Sequence, residues 1–176
     1  MNDRRSFSVL ASFRLDGDTA IVTGGGKGLG RIACLALAEA GAKIAVLDLD
    51  EATVQQTVGE ISEAGGEARA WVCDVTDEGA VIETFAAIVD AFGGIDILVN
   101  NAGIARRDPT ESMLTETWDL VIATNQTAVF TCSREAGKHM LVKGKGAIIN
   151  IASIMGLSGG GFYPNLPYHA SKGAVV

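Results

Sequence analysis

Hydrophobic residues along the chain cluster in short, nearly continuous runs that recur at regular intervals. Such runs are typical of strands that are buried on both faces of a parallel sheet. Between them, longer segments carry apolar residues at helical spacing, with charged residues on the remaining face. The predicted strands cover residues 19–24, 43–48, 68–75, 95–101 and 146–153. The predicted helices cover residues 29–40, 51–64, 77–92 and 112–142, and a further helix begins near Tyr168.

This alternation of strand and helix predicts an α/β fold with a Rossmann-type, doubly wound parallel sheet. The strand order 3-2-1-4-5-6 requires another strand after the fifth, so we expect one or more C-terminal strands to be missing. One domain is predicted over residues 17–176, after an N-terminal lead-in over residues 1–16, because chain termini are usually loosely ordered. Ligands of such sheets bind beyond the carboxyl ends of the strands, which directs the search for a site to the residues that follow each strand.

A glycine-rich turn, TGGGKGLGR, follows the first predicted strand and contains Gly24, Gly28 and Gly30. Glycines permit a tight turn and let the backbone approach a diphosphate, whose charge is favoured by the free N–H groups at a helix N-terminus. The alternative is a flexible turn that binds nothing. The position of the turn between a strand and a helix favours binding.

Acidic and amide residues end the next three predicted strands. Asp48 ends the second strand, where a carboxylate can accept hydrogen bonds from ribose hydroxyls and repels a 2′-phosphate. Lys27, in the glycine turn, could instead pair with such a phosphate. Asp74 ends the third strand and could reach an adenine amino group, or it could simply begin a helix. Asn100 and Asn101 could line a cofactor cleft or form an ordinary turn.

Four polar residues of the last third of the chain are candidates for chemistry. Asn125 lies within a predicted helix among apolar neighbours, where asparagine is a poor helix former. Ser153 follows the fifth strand directly. Tyr168 and Lys172 occupy positions i and i+4, which share one face of a helix. A neighbouring ammonium favours the phenolate form of a tyrosine, which is the form that accepts a proton.

Composition narrows the possible partners. The net charge of −7 argues against nucleic acid and anionic membranes, since binding to either rests on clustered lysines and arginines. Cys34, Cys73 and Cys132 lie far apart in apolar stretches, which predicts free thiols and no metal site. The N-terminus lacks an apolar run as long as a signal peptide requires, so we expect a cytoplasmic protein.

Together these motifs resemble the short-chain dehydrogenase/reductase family. The resemblance covers residues 15–176 and rests on residues 23–30, Asp74, residues 100–103, Asn125, Ser153, Tyr168 and Lys172, which occur in the expected order. It implies a nicotinamide cofactor, which Asp48 predicts to be NAD rather than NADP, and hydride exchange with an alcohol or carbonyl carbon. It also implies a homodimer or homotetramer.

The resemblance assigns roles residue by residue. Tyr168 would be the general acid/base, Lys172 would assist it and hold the nicotinamide ribose, Ser153 would hydrogen-bond the substrate oxygen, and Asn125 would anchor a water next to Lys172. The implied cofactor-binding residues are Gly24, Gly26, Lys27, Gly28, Leu29, Gly30, Asp48, Asp74, Val75, Asn101, Tyr168 and Lys172.

The chain departs from the family pattern in one interval, between Ser153 and Tyr168, which is slightly long and rich in glycine. Ser158 is therefore a rival for the substrate-binding serine. Tyr163 is a poorer candidate for the base, because Pro167 stands where a lysine is needed.

Three functions remain open. The leading prediction is an NAD-dependent alcohol dehydrogenase or ketone reductase that acts on a sugar acid or polyol. A 3-oxoacyl-thioester reductase is the nearest rival. The third is a catalytically silent dinucleotide-binding fragment, because a fifth strand without a neighbour would be an exposed apolar edge.

Overall fold

The computed structural model describes residues 9–159 and 164–176. Its strands are β1 (Thr19–Thr23), β2 (Lys43–Asp48), β3 (Ala68–Val72), β4 (Ile97–Asn100) and β5 (Ala147–Asn150). Its α-helices are α1 (Gly28–Glu39), α2 (Glu51–Glu63), α3 (Glu78–Phe92), α4 (Thr115–Ile122), α5 (Ala128–Lys143) and α6 (Leu166–Val175). Short 3-10 turns cover Leu10–Phe13, Thr110–Ser112 and Ile154–Gly156.

The strands form one parallel sheet in the order β3-β2-β1-β4-β5. β1 is buried along its whole length, and successive side chains enter opposite hydrophobic layers. Ile21 packs in the layer that contains Phe85 of α3 and Cys132 of α5, whereas Val22 packs in the layer that contains Cys34 of α1. The predicted doubly wound α/β sheet is therefore confirmed, and apolar burial on both faces explains the continuous hydrophobic runs.

The cysteines behave as small apolar residues, as predicted. All three are buried and free. Burial raises the pKa of Cys34 to about 12 and is also the main cause of the pKa of about 12 at Cys132. Thiols with such pKa values are protonated at neutral pH and unreactive.

β5 forms one edge of the sheet. Within residues 9–159 and 164–176 its only strand neighbour is β4, and all four of its residues are exposed. Ile148 and Ile149, two of its apolar residues, are 39% and 46% exposed. Within the described residues, one side of the sheet is therefore an exposed apolar strand, as the sequence predicted.

The predicted helix over 112–142 is wrong in its start and its continuity. Residues Thr110–Ser112 form a 3-10 turn, and α4 begins only at Thr115. A π-helical turn, Ala123–Thr127, then separates α4 from α5. This turn contains Asn125, whose side chain is held by a distant loop, as described below. Turns of this type are frequent at functional sites.

Several other predicted bounds are also too wide. The strands predicted over 68–75, 95–101 and 146–153 are shorter in the structure, at the limits given above. Beyond β3, for example, Asp74 forms a local turn in which it accepts hydrogen bonds from both the N–H and the Oγ1 of Thr76. The last helix begins at Leu166 rather than near Tyr168, since a proline in its first turn needs no N–H partner.

The described part of the predicted lead-in, residues 9–16, contains the turn Leu10–Phe13. It is tied to the end of α1, because the Leu15 N–H donates to the Ala40 carbonyl at 2.9 Å. In the ranges that the structure describes, no helix combines the length and the apolar character that crossing a membrane requires.

A buried carboxylate joins three strands at their amino ends. Asp96, which precedes β4 and is 4% exposed, accepts a hydrogen bond from the N–H of Thr19 at 3.0 Å. Its other oxygen lies 2.5 Å from Lys143 Nζ and 3.3 Å from Lys145 Nζ. Burial opposes its charge, but the hydrogen bonds from Lys143, Thr19 and Lys145 outweigh this and hold the pKa of Asp96 below its ordinary value.

We expect Asp96→Asn to lower the free energy of unfolding by about 2 kcal/mol at pH 7, the magnitude of hydrogen bonds to a charged group. A carboxylate whose pKa is depressed by folding stabilises above the unfolded pKa, and this contribution is lost as pH falls through the folded pKa. The difference between variant and wild type should therefore shrink below about pH 4. Urea unfolding at several pH values measures it, and a difference independent of pH would contradict the assignment.

Candidate active site

The carboxyl ends of β1 to β4 border an open groove of about 540 Å³. Residues of the glycine turn and of the loop after β4 both contribute to its lining. Seven of the predicted cofactor-binding residues line it: Gly24, Lys27, Leu29, Asp48, Asp74, Val75 and Asn101. Gly26, Gly28 and Gly30 belong to the same turn. Another cavity, of about 730 Å³, is lined by the ends of α1 and α2 and contains none of the predicted site residues.

The glycine turn has the geometry that a diphosphate requires. Gly24 and Gly28 have φ values of 64° and 57°, a region that side-chain-bearing residues rarely adopt. A Cβ atom on Gly30 would overlap the Gly24 carbonyl and the side chain of Asn101. No side chain caps the N-terminus of α1. Its first N–H groups are thus available to an anion, and the positive end of the helix dipole favours one.

Asp48 is held against this turn. Its Oδ2 accepts a hydrogen bond from the Gly26 N–H at 3.1 Å, and its Oδ1 accepts one from the Leu49 N–H at 2.8 Å. The carboxylate therefore has a defined position in the groove, where it can accept hydrogen bonds from a ribose. Lys27 also lines the groove but is exposed, so its ammonium can remain in water.

Asp74 and Val75 both line the groove beyond β3. The N-terminus of α3 is capped by Asp77, whose carboxylate accepts from the Ala80 N–H at 3.1 Å. Asp74 forms the turn that leads into this helix: its Oδ1 accepts from the Thr76 N–H at 2.9 Å, and its carbonyl accepts from the Asp77 N–H at 3.1 Å. The predicted helix entry is therefore present, and Asp74 lines the groove as well.

The two asparagines that follow one another at the end of β4 have different places. Asn101 lines the groove, and its Nδ2 donates to the carbonyls of Thr23 and Gly24 at 3.0 and 3.1 Å. Asn100 points away from the lining and donates to Ser133 Oγ and Asn150 Oδ1. Of these two asparagines, only Asn101 therefore both lines the groove and supports the glycine turn.

Thr23 is a structural part of the site whose role the sequence did not reveal. Its Oγ1 accepts from the N–H groups of Asn101 and Ala102 at 3.1 and 3.0 Å. This ties the end of β1 to the end of β4. A threonine directly before a glycine turn is the one signal in the sequence, but its partners lie far along the chain.

Asn125 is fully buried and clamps the loop after β4. Its Oδ1 accepts from the Ile104 N–H at 2.8 Å, and its Nδ2 donates to the Ile104 carbonyl at 2.9 Å. The same Nδ2 donates to Ser171 Oγ at 3.1 Å, which links the π-helical turn to α6. Ser171, also fully buried, is a second residue that sequence reasoning missed.

Lys172, on α6, lies close to the hydrogen-bonded cluster of Asn125, Ile104 and Ser171. It is 4% exposed, and its Nζ donates to the Ile151 carbonyl at 2.5 Å. The Nζ atom lies 5.9 Å from the centroid of the Tyr168 ring, as expected from their spacing on one helix face. Burial lowers the pKa of Lys172 below its ordinary value. Its ammonium is therefore a stronger acid than that of an exposed lysine.

The groove borders the side chains of Asn125 and Lys172. A Cβ atom on Gly103, a residue of the groove lining, would lie 3.3 Å from Asn125 Oδ1 and 3.6 Å from Lys172 Nζ. Lys172 in turn neighbours Tyr168. The groove and the Tyr168/Lys172 pair are thus neighbouring parts of one region.

Ser153 begins the segment that follows β5. Its Oγ accepts from the Met155 N–H at 3.2 Å and so caps the turn Ile154–Gly156, which packs on α6. Ser153 is half-buried, whereas its rival Ser158 is exposed. Tyr163, the rival for the base, lies outside the described residues.

Comparison with known proteins identifies the family. The family model for short chain dehydrogenases matches residues 18–176. The chain belongs to the short-chain dehydrogenase family.

Similarity to individual members of the short-chain dehydrogenase family is substantial. The chain is 39% identical over 153 residues to D-threitol dehydrogenase of Mycolicibacterium smegmatis, covering 87% of this chain and 59% of that protein. It is 39% identical over 164 residues to gluconate 5-dehydrogenase of Gluconobacter oxydans, covering 93% of this chain and 63% of that protein. The solved structure of an NAD⁺-bound xylitol dehydrogenase superposes with a TM-score of 0.87 at 36% identity, covering 91% of this chain and 61% of that one. The chain therefore spans about 60% of the length of these relatives.

In the two ranges that the structure describes, no group of three or more His, Cys, Asp or Glu side chains is arranged to hold a metal ion.

Proposed function

We propose that the protein is an NAD-dependent oxidoreductase, which interconverts a secondary alcohol of a polyol or sugar acid and the corresponding ketone. The observation that carries this proposal is that Lys172 Nζ and Asn125 Oδ1 both lie close to Gly103, a residue of the groove lining. The named activities of the threitol, gluconate and xylitol dehydrogenases support the substrate class.

The residues present fit a dinucleotide. The uncapped N-terminus of α1 and the glycine turn suit a diphosphate. Asp48 suits a ribose with free hydroxyls, since a 2′-phosphate close to a carboxylate would cost several kcal/mol. Asp74 and Val75 would border the adenine. We therefore propose NAD over NADP as the bound form, whose nicotinamide ring accepts or returns the hydride.

The protein's own part in the reaction is proton transfer and orientation. In alcohol oxidation, the Tyr168 oxygen would take the proton of the substrate hydroxyl as the hydride leaves the carbon that bears this hydroxyl. Lys172, whose Nζ atom lies 5.9 Å from the centroid of the Tyr168 ring, would hold the nicotinamide ribose beside it. Ser153 would donate a hydrogen bond to the substrate oxygen. Asn125 holds the loop after β4 and α6 together, which keeps Lys172 in place.

A substrate panel on the full-length protein tests this proposal. We expect formation of NADH, seen by its absorbance, with D-threitol, xylitol or D-gluconate, and at least about a tenfold higher kcat/KM with NAD than with NADP. A 3-oxoacyl thioester with NADH or NADPH tests the rival reductase. The silent dinucleotide-binding fragment is tested on the 176-residue chain, verified by intact mass: NADH binding without turnover would favour this alternative, and normal turnover would refute it.

We also propose a homodimer or homotetramer, which the family resemblance implies, and a location in the cytoplasm. Light scattering on the same protein measures the oligomeric state.

A further inference from the structure

His169 follows Tyr168 directly on α6, and its ring contacts the segment after Ser153. Its Nδ1 lies 2.8 Å from the carbonyl oxygen of Met155 and 2.9 Å from that of Ser158. Carbonyl oxygens only accept hydrogen bonds, so Nδ1 must carry the hydrogen and share it between both. One side chain of α6 therefore holds two points of the segment 153–158, called here the Ser153 segment.

The Ser153 segment has little apolar burial of its own to keep it in place. Ile154 and Leu157 are 79% and 78% exposed. A short 3-10 turn with few buried apolar contacts belongs to the low-stability parts of a protein, which open easily. Its position then depends on the specific contacts that it makes with α6.

Close backbone packing provides one such contact. A Cβ atom on Gly156 would lie 2.5 Å from the Lys172 carbonyl oxygen and 2.9 Å from the Gly173 N. The backbone of the turn therefore rests directly on the backbone of α6. At this point no side chain separates the two elements, and the hydrogen bonds from His169 add side-chain contacts to the backbone approach.

The anchors lie on both sides of Ser153. Lys172 Nζ holds the Ile151 carbonyl before it, and His169 Nδ1 holds the Met155 and Ser158 carbonyls after it. Both anchors come from α6, the helix that also carries Tyr168. The helix that carries Tyr168 thus contacts the chain both before and after Ser153.

We propose that His169 is a positioning residue, which holds the Ser153 segment against α6 so that Ser153 and Tyr168 address the same substrate oxygen. It does not touch the reacting atoms. The consequence for turnover rests on the function proposed above, whereas the anchoring itself can be measured without any turnover.

The test compares four variants of the full-length protein. His169→Phe and His169→Ala remove the donor, with and without loss of the ring volume. His169→Asn keeps a donor, because its amide nitrogen reaches the position of Nδ1. His139→Phe, at the half-buried histidine on α5, is the matched control. Amide hydrogen exchange over residues 154–159 reports anchoring, and kcat and KM with NAD and the best substrate of the panel report function.

We expect faster exchange in the Phe and Ala variants at the N–H groups of Gly156 and Leu157, which are bonded within the turn. Their kcat should fall about tenfold, the loss expected for one or two hydrogen bonds, with the KM for NAD unchanged. His169→Asn should restore both quantities, and His139→Phe should alter neither. If the Phe variant does not fold, the Ala variant is compared with the wild type instead.

Wild-type exchange over residues 154–159 in the Phe or Ala variant overturns the anchoring, whatever the turnover. Faster exchange with unchanged kcat overturns the positioning role. A fall that His169→Asn fails to restore also counts against it, because volume rather than the hydrogen bond would then be responsible. If the wild-type protein shows no turnover, the proposed function fails, and the exchange result alone decides whether His169 anchors the segment.

Discussion

Tyr168→Phe should lower kcat for alcohol oxidation at least about a thousandfold, within the range that general acid–base catalysis contributes. Phenylalanine lacks the oxygen that we propose takes the substrate proton, but it keeps the ring. The contact between that ring and Lys172 Nζ, now 5.9 Å from the centroid, is therefore retained. The groove that would hold the cofactor does not include Tyr168 in its lining. The measurement is NADH formation at saturating substrate.

Two controls separate lost chemistry from lost structure in this variant. The dissociation constant for NADH, from fluorescence titration, should change by less than about threefold, because residues of the groove are untouched. The thermal unfolding midpoint should also stay close to that of wild type. Turnover within about tenfold of wild type would exclude Tyr168 as the acid/base.

Gly30→Ala should have the largest effect on cofactor binding and a large one on stability. The added Cβ would overlap the Gly24 carbonyl and Asn101 Nδ2, two atoms that are hydrogen-bonded to each other at 3.1 Å. The first atom belongs to the backbone, and the second is held by hydrogen bonds to the Thr23 and Gly24 carbonyls, so the turn itself must shift. We expect a loss of about 3 kcal/mol in the free energy of unfolding, the upper range for overpacking. NADH binding should weaken at least about a hundredfold, since the turn must approach the diphosphate closely.

Gly59→Ala is the matched control, because a Cβ atom there meets nothing within 4 Å. Gly59 lies within α2, where alanine is favoured over glycine by about 1 kcal/mol. This variant should be slightly stabilised and bind NADH normally. If Gly30→Ala binds NADH as tightly as Gly59→Ala does, the proposed place of the diphosphate is wrong.

The course of the chain through strands and helices was predictable because it follows from local patterns. Each buried strand is a continuous apolar run, and each helix repeats its apolar residues at a period that neighbouring residues alone establish. The element bounds were less accurate. The helix predicted over 112–142 is interrupted by the π-helical turn at Asn125, which is bonded to Ile104 in another loop. No local pattern contains that partner.

The candidate site divides in the same way. The Tyr168/Lys172 pair and the glycine turn are short motifs, and a helix or a strand–turn–helix unit is sufficient to arrange them. The different places of Asn100 and Asn101 were not predictable, because they follow from which face of β4 each residue occupies. The same holds for Asp74 and Asp77, which are both suited to cap a helix, although only Asp77 caps α3.

By itself the sequence determined the doubly wound sheet, the glycine turn after β1 and the helical pair of Tyr168 and Lys172, because each depends on residues close together in the chain. Only the tertiary structure decided that Asn125 clamps Ile104, that Lys172 is buried beside Gly103, and that His169 holds the Ser153 segment. These contacts join residues that are distant along the chain or belong to separate elements. Packing of the elements, rather than any local preference, brings them within hydrogen-bonding distance.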